Sequence, residues 1–86
     1  MFSATLTIKN KTGLHARPAS GLSLLCRKFE SKIRIITEST EADPTSVISL
    51  MAAGIKQGSN VNLTVEGPDE EAAGREIVSY IEGLGE

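Results

Sequence analysis

Tryptophan is missing from this chain, and its aromatic side chains are only Phe2, Phe29 and Tyr80. A core built from such a composition must be aliphatic. Cysteine is nearly missing too. The single Cys26 excludes an internal disulfide and gives no cluster of thiolate ligands. No metal is expected. No apolar run approaches the roughly 20 residues of a transmembrane helix, and the first residues lack a secretory signal pattern. The expectation is a cytoplasmic protein without stable membrane association. Histidine occurs once, at His15.

What is present fits one small domain, residues 1–86, expected to be a monomer. A chain of 86 residues buries only about 60–65% of its unfolded surface, so its core is modest. The net charge of −2 hides a separation along the chain. Residues 1–37 carry seven basic side chains against Glu30 alone, a net +6, while residues 38–86 carry Lys56 and Arg75 against ten acids, a net −8. The surroundings of His15 in the sequence are therefore basic, which favours an anionic group or an acidic protein partner. Nucleic acid is not expected. The whole chain is acidic, and the rings of the basic half, Phe2 and Phe29, fall at core positions.

Hydropathy patterning supplies the elements. In FSATLTI, Phe2, Ala4, Leu6 and Ile8 alternate with Ser3, Thr5 and Thr7, the mark of a strand with one buried face. From Ala16 the period lengthens: Ala19, Leu22, Cys26 and Phe29 recur at three and four, with Leu25 beside them, which predicts a helix. Pro18 fits only in its first turn, where an amide has no intrahelical partner. KIRIIT predicts a second strand with Ile33 and Ile35 on one face. A short third strand is expected near Thr40 to Ala42, cut off by Pro44. SVISLMAAG reads as a short helix capped by Ser46 or Thr45 and stopped at Gly54. VNLTVE alternates again. The last helix opens with Asp69, Glu70 and Glu71, which suit a positive helix N-terminus, and carries the stripe Ala73, Ile77, Tyr80, Ile81 and Leu84. Cys26 falls on the inner face of the first helix, as a small core residue. Helices over one face of a three- to four-stranded antiparallel sheet make a two-layer α+β open-faced β-sandwich.

KTGLHARPAS places the lone imidazole at the N-cap of the first helix. The backbone amides of Ala16 and Arg17 then have no intrahelical partner, and a helix N-terminus attracts anions. Arg17 adds a guanidinium whose fork matches phosphate oxygens two at a time. Gly13 lets the chain turn sharply before the site. A neutral imidazole keeps a nitrogen lone pair and acts as a nucleophile, so phosphoryl transfer to His15 is one coherent reading. A surface histidine or a plain helix cap is the other, and spacing alone leaves both open.

The stretch resembles the active-site segment of HPr, the histidine-containing phosphocarrier family of the bacterial sugar phosphotransferase system (PTS). TSVISLMAAGIKQGSNVNLTVEGPDEEAA is similar to the second half of the same family, and the resemblance runs over essentially the whole chain. It implies the HPr-like open-faced sandwich. It also implies that His15 takes a phosphoryl group on its δ1 nitrogen from phosphorylated enzyme I and passes it to sugar-specific IIA domains. Arg17 matches the family's active-site arginine. The carrier then keeps no cofactor bound and is a substrate of enzymes more than an enzyme itself.

The second helix raises its own question. Val47, Ile48, Leu50 and Met51 are apolar around more than one face of two turns. Leu50 is expected to be buried, with Val47, Ile48 and Met51 at least partly exposed as a docking patch. The resemblance implies that enzyme I and the IIA domains dock there. It also makes Ser46 a candidate for regulatory phosphorylation by an HPr kinase/phosphorylase. Departures around it bear on that role: Thr45, Val47, Ile48 and Ser49 stand where many family members read lysine, isoleucine, methionine and glycine, and Asp43–Pro44 is unusual. Two other outputs stay open, a regulatory phosphotransfer paralogue of the nitrogen-related kind and a non-catalytic α+β binding module.

Overall fold

The computed structural model describes residues 1–84. Gly85 and Glu86, the end of the expected 1–86 domain, lie outside the described residues. The elements run β1 (Phe2–Thr7), α1 (Ala16–Cys26), β2 (Lys32–Ile36), β3 (Glu41–Ala42), α2 (Val47–Ala52), β4 (Asn60–Glu66) and α3 (Glu70–Glu82). The strands form one antiparallel sheet in the order β1-β4-β2-β3. This is the α+β open-faced sandwich that the patterning predicts.

Register follows the alternation. Leu6 faces Val61, Ile33 faces Val65, and Ile35 lies between Leu63 and Ala42. These side chains all point to the helical layer and are buried there. The opposite face is polar. Thr5 and Thr7 donate from their hydroxyls to the Asn62 and Asn60 side chains of β4 at 2.7 Å each, cross-strand pairs that suit a solvated sheet surface. Pro44 is fully buried and ends β3 after two residues.

On the helical side, Ala19, Leu22 and Cys26 of α1, Leu50 of α2, and Ala73, Ile77 and Ile81 of α3 fill the core. Leu14 and Ile55, both in connecting segments, are fully buried as well. Helix α3 packs on β1, β4 and α1, and α1 packs on α2. The Tyr80 hydroxyl donates to the Pro18 carbonyl at 3.1 Å, tying the last helix to the first turn of α1. Burial pushes the Cys26 thiol up to about 12, with the nearby Asp43 charge adding to the shift, so it is a core residue and not a reactive thiolate.

The acids before α3 do more than complement its dipole. Asp69 is the N-cap, but its side chain makes no capping hydrogen bond to its own helix. Its carboxylate instead accepts from the Glu30 amide at 2.9 Å, the Ser31 amide at 2.9 Å and the Ser31 hydroxyl. Glu70 accepts from the Gly67 amide at 3.1 Å and pairs with the Met1 amino group at 2.8 Å. The start of α3 is thereby fastened to the start of β2.

Candidate functional site

His15 stands where spacing predicts, as the N-cap of α1 with extended backbone (φ −122°, ψ 163°). Its side chain makes no capping hydrogen bond, although capping is the usual work of a polar residue at this position. It is half-buried. The imidazole is therefore held by its backbone and left chemically uncommitted. Ala16 departs from an ordinary helix start: its φ is +49°, a left-handed conformation that costs a non-glycine residue about 1–2 kcal/mol. Such strain persists only where the flanking structure over-determines it.

Both flanks do so. On the N-terminal side, Gly13 has φ +65° and its amide donates to the Asn10 carbonyl at 3.2 Å. The Asn10 side chain donates in turn to the Gly13 carbonyl at 2.9 Å and to the Thr12 hydroxyl oxygen at 3.2 Å. The Leu14 amide donates to the Ile55 carbonyl at 3.1 Å, and Gln57 donates to the Lys9 carbonyl at 3.0 Å. The loop before His15 is thus stitched to the segment after α2. On the C-terminal side, Pro18 and Ala19 are buried and Tyr80 holds the Pro18 carbonyl.

Arg17 is exposed, and among the described residues its guanidinium makes no hydrogen bond or ion pair. A nucleophilic ring nitrogen, strained backbone beside it and an unpaired cation two residues on form a site suited to receiving a group with negative oxygens. Among the described residues no three His, Cys, Asp or Glu side chains gather as a metal site, and no helix is long and apolar enough to cross a membrane.

Ser46 caps α2, its hydroxyl oxygen accepting from the Ser49 amide at 3.2 Å. The unusual residues before it form a local turn. Asp43 accepts from the Thr45 amide at 3.0 Å and the Thr45 hydroxyl at 2.7 Å, which, ahead of Arg34, holds its carboxyl below the ordinary range. The Thr45 carbonyl accepts from Ser23 at 3.0 Å and from Arg27 at 2.9 Å, both on α1.

Helix α2 divides as the pattern predicts. Leu50 is fully buried, Val47 packs half-buried against the core, Ile48 is 80% exposed and Met51 is 43% exposed. Sequence reasoning missed two residues. Leu24 of α1 is 69% exposed; the signal was available, because Leu24 falls out of phase with Leu22, Leu25 and Cys26. Asn10 is 5% exposed although it sits between two lysines in a polar loop, and no local pattern marks it.

Comparisons with known proteins place the chain among similar sequences and structures. The profile of the family described as "PTS HPr component phosphorylation site" matches residues 2–83. A phosphocarrier protein HPr of Mycoplasma pneumoniae is 37% identical, over 90% of this chain and 89% of its own. A multiphosphoryl transfer protein of Vibrio cholerae is 42% identical over 98% of this chain, which spans 22% of that longer protein. The crystal structure of HPr-C-His from Thermoanaerobacter tengcongensis superimposes with a TM-score of 0.92 at 41% identity, covering 95% of this chain and 92% of that one.

Proposed function

The chain belongs to the PTS HPr family, as a phosphocarrier of that system and not a classical enzyme, and from that premise we propose that His15 carries the phosphoryl group. The observation that carries this reading is the uncommitted imidazole: a half-buried N-cap histidine whose side chain caps nothing. In the transfer, a lone pair of the His15 ring attacks the donor phosphorus. A nitrogen–phosphorus bond forms as the donor's bond to phosphorus breaks, and the electron pair of that bond leaves with the donor. The phosphoryl oxygens then meet Arg17 and the amides of Ala16 and Arg17. One exposed guanidinium and a helix end stabilise the adduct moderately, which a carrier requires, since the group must also leave.

The chain acts in a phosphotransfer relay. Enzyme I as donor and sugar-specific IIA domains as acceptors are the partners of this reading, in the cytoplasm. Val47, Ile48 and Met51 form the docking patch, and Ser46 is the regulatory acceptor for an HPr kinase/phosphorylase. A phosphate there adds nearly two negative charges beside that patch and repels acidic partners. The one-domain reading of residues 1–86 belongs to the same proposal.

Phosphoenolpyruvate and a cognate enzyme I known to be active supply the test. The expected product is an acid-labile, base-stable adduct that disappears in His15→Ala. An adduct that survives in His15→Ala, or none on the wild type, overturns the reading. For Ser46, kinase and ATP are expected to give an acid-stable mark that is lost in Ser46→Ala.

A further inference from the structure

Asn10 is a buried polar side chain in a loop whose neighbours Lys9 and Lys11 are exposed. Its amide nitrogen has two acceptors, the Gly13 carbonyl and the Thr12 hydroxyl oxygen. Its own carbonyl oxygen, Oδ1, is buried with no hydrogen-bond partner among the described residues. Reversing the amide does not help: that would face the Asn10 oxygen against the Gly13 carbonyl oxygen. The nitrogen is therefore fixed in place, and the unpaired oxygen is the consequence.

A buried acceptor without a partner opposes folding. An apolar side chain at position 10 would avoid that penalty, and an exposed polar one would as well. What only the donor at this position provides is a hold on Gly13. Two peptide units beyond the held carbonyl lies His15, and the next residue is the left-handed Ala16. Leu14 between them is pinned at its amide by Ile55. Removal of the Asn10 donor leaves the N-terminal flank of the strained segment with only backbone bonds, and the chain around Ala16 then has room to relax toward ordinary φ.

We infer that Asn10 is a positioning residue for phosphoryl transfer at His15: its buried amide clamps the Gly13 carbonyl and so fixes the backbone that aims the imidazole. The inference rests on His15 as the acceptor. Asn10 touches neither the phosphoryl group nor a partner in this role. It acts through Gly13.

The test compares wild type, Asn10→Asp and Asn10→Ala in transfer from phospho-enzyme I, at a temperature where circular dichroism shows each protein folded. Asn10→Asp keeps the shape and loses the donor at pH 7. Turnover at saturating carrier is expected to fall about tenfold in both variants, the effect of one well-placed hydrogen bond, with KM within about twofold of wild type. A purely structural role in a folded protein leaves turnover unchanged. Folded variants with wild-type turnover, or with a change in KM alone, overturn the inference while leaving His15 as acceptor; a wild type that takes no acid-labile phosphoryl group overturns the acceptor reading itself. A measurement on the wild type needs no variant. The Asn10 side-chain amide protons are expected to exchange with solvent at least about tenfold more slowly than those of exposed Asn62, and equal rates overturn the clamp.

Discussion

Gly13 lies against the Ile55 carbonyl so closely that a Cβ at position 13 would come within 2.3 Å of that oxygen. The contact is backbone to backbone, so neither side can rotate away. It fixes the distance between the loop before His15 and the turn after α2, and it requires both the missing side chain and the positive φ of Gly13.

Gly13→Ala is therefore expected to lower the melting temperature clearly more than Gly58→Ala. Gly58 also has positive φ, yet no described residue lies within 4 Å of a Cβ there, so only the conformational penalty of about 1–2 kcal/mol applies. Thermal melts of the two variants check this. Equal losses would show that the 13–55 contact yields easily.

Tyr80 and Gly21 are fitted to one another, since a Cβ on Gly21 would meet the Tyr80 hydroxyl oxygen at 2.1 Å. Tyr80→Phe is expected to cost about 0.5–1.5 kcal/mol through the bond lost to Pro18. Gly21→Ala is expected to cost less in the Tyr80→Phe background than in wild type, because the hydroxyl is gone. A double-mutant cycle by denaturant unfolding reads the coupling, and additive effects would contradict it.

Asp69 gives the fold a dependence on acid. The Ser31 hydroxyl, followed by the Glu30 amide, lowers its pKa from the ordinary 3.8. A carboxyl held lower in the folded state contributes stability that is fully present above the unfolded value and is lost as pH falls below it. Asp69→Asn is expected to be less stable than wild type at pH 7, with the gap closing below about pH 4. Melts across pH 2–7 check the sign; a gap that widens in acid would refute it.

On α2, exposure separates docking from packing. Met51→Glu and Ile48→Glu are expected to weaken enzyme I binding while moving stability by less than about 0.5 kcal/mol. Leu50→Ala, which empties a fully buried site, is expected to cost about 2–5 kcal/mol. Titration calorimetry and melts on the same samples distinguish the two effects. Loss of the fold in Met51→Glu would make Met51 a core residue.

Much of this molecule can be read along the chain. The alternations around Leu6 and Leu63, the three-and-four spacing of Ala19, Leu22 and Cys26, and the stop at Gly54 all report local periodicity, and each element lies where its period puts it. His15 stands out as a candidate because it is unique and sits at a helix start beside Gly13 and Arg17. What escaped is non-local. Asn10 looks like a solvated loop residue until the chain folds Ile55 and Gln57 over its loop. Asp69 looks like a helix-start acid until Glu30 and Ser31 arrive from elsewhere in the chain. The left-handed Ala16 carries no signature, because alanine prefers the ordinary helical region and only its flanks impose the strain.

The strand order has a consequence for how the chain is made. Among the described residues, strand β1 pairs only with β4, and β4 lies between β1 and β2. A ribosome that has released β1, α1 and β2 has therefore released two strands whose shared neighbour, β4, is still to come. The two are joined only when residues 60–66 emerge, and the first turn of α1 gains its tie to α3 only with Tyr80. Contacts this distant in sequence slow folding relative to local ones. The histidine is translated early, but its fixed surroundings are among the last features to form.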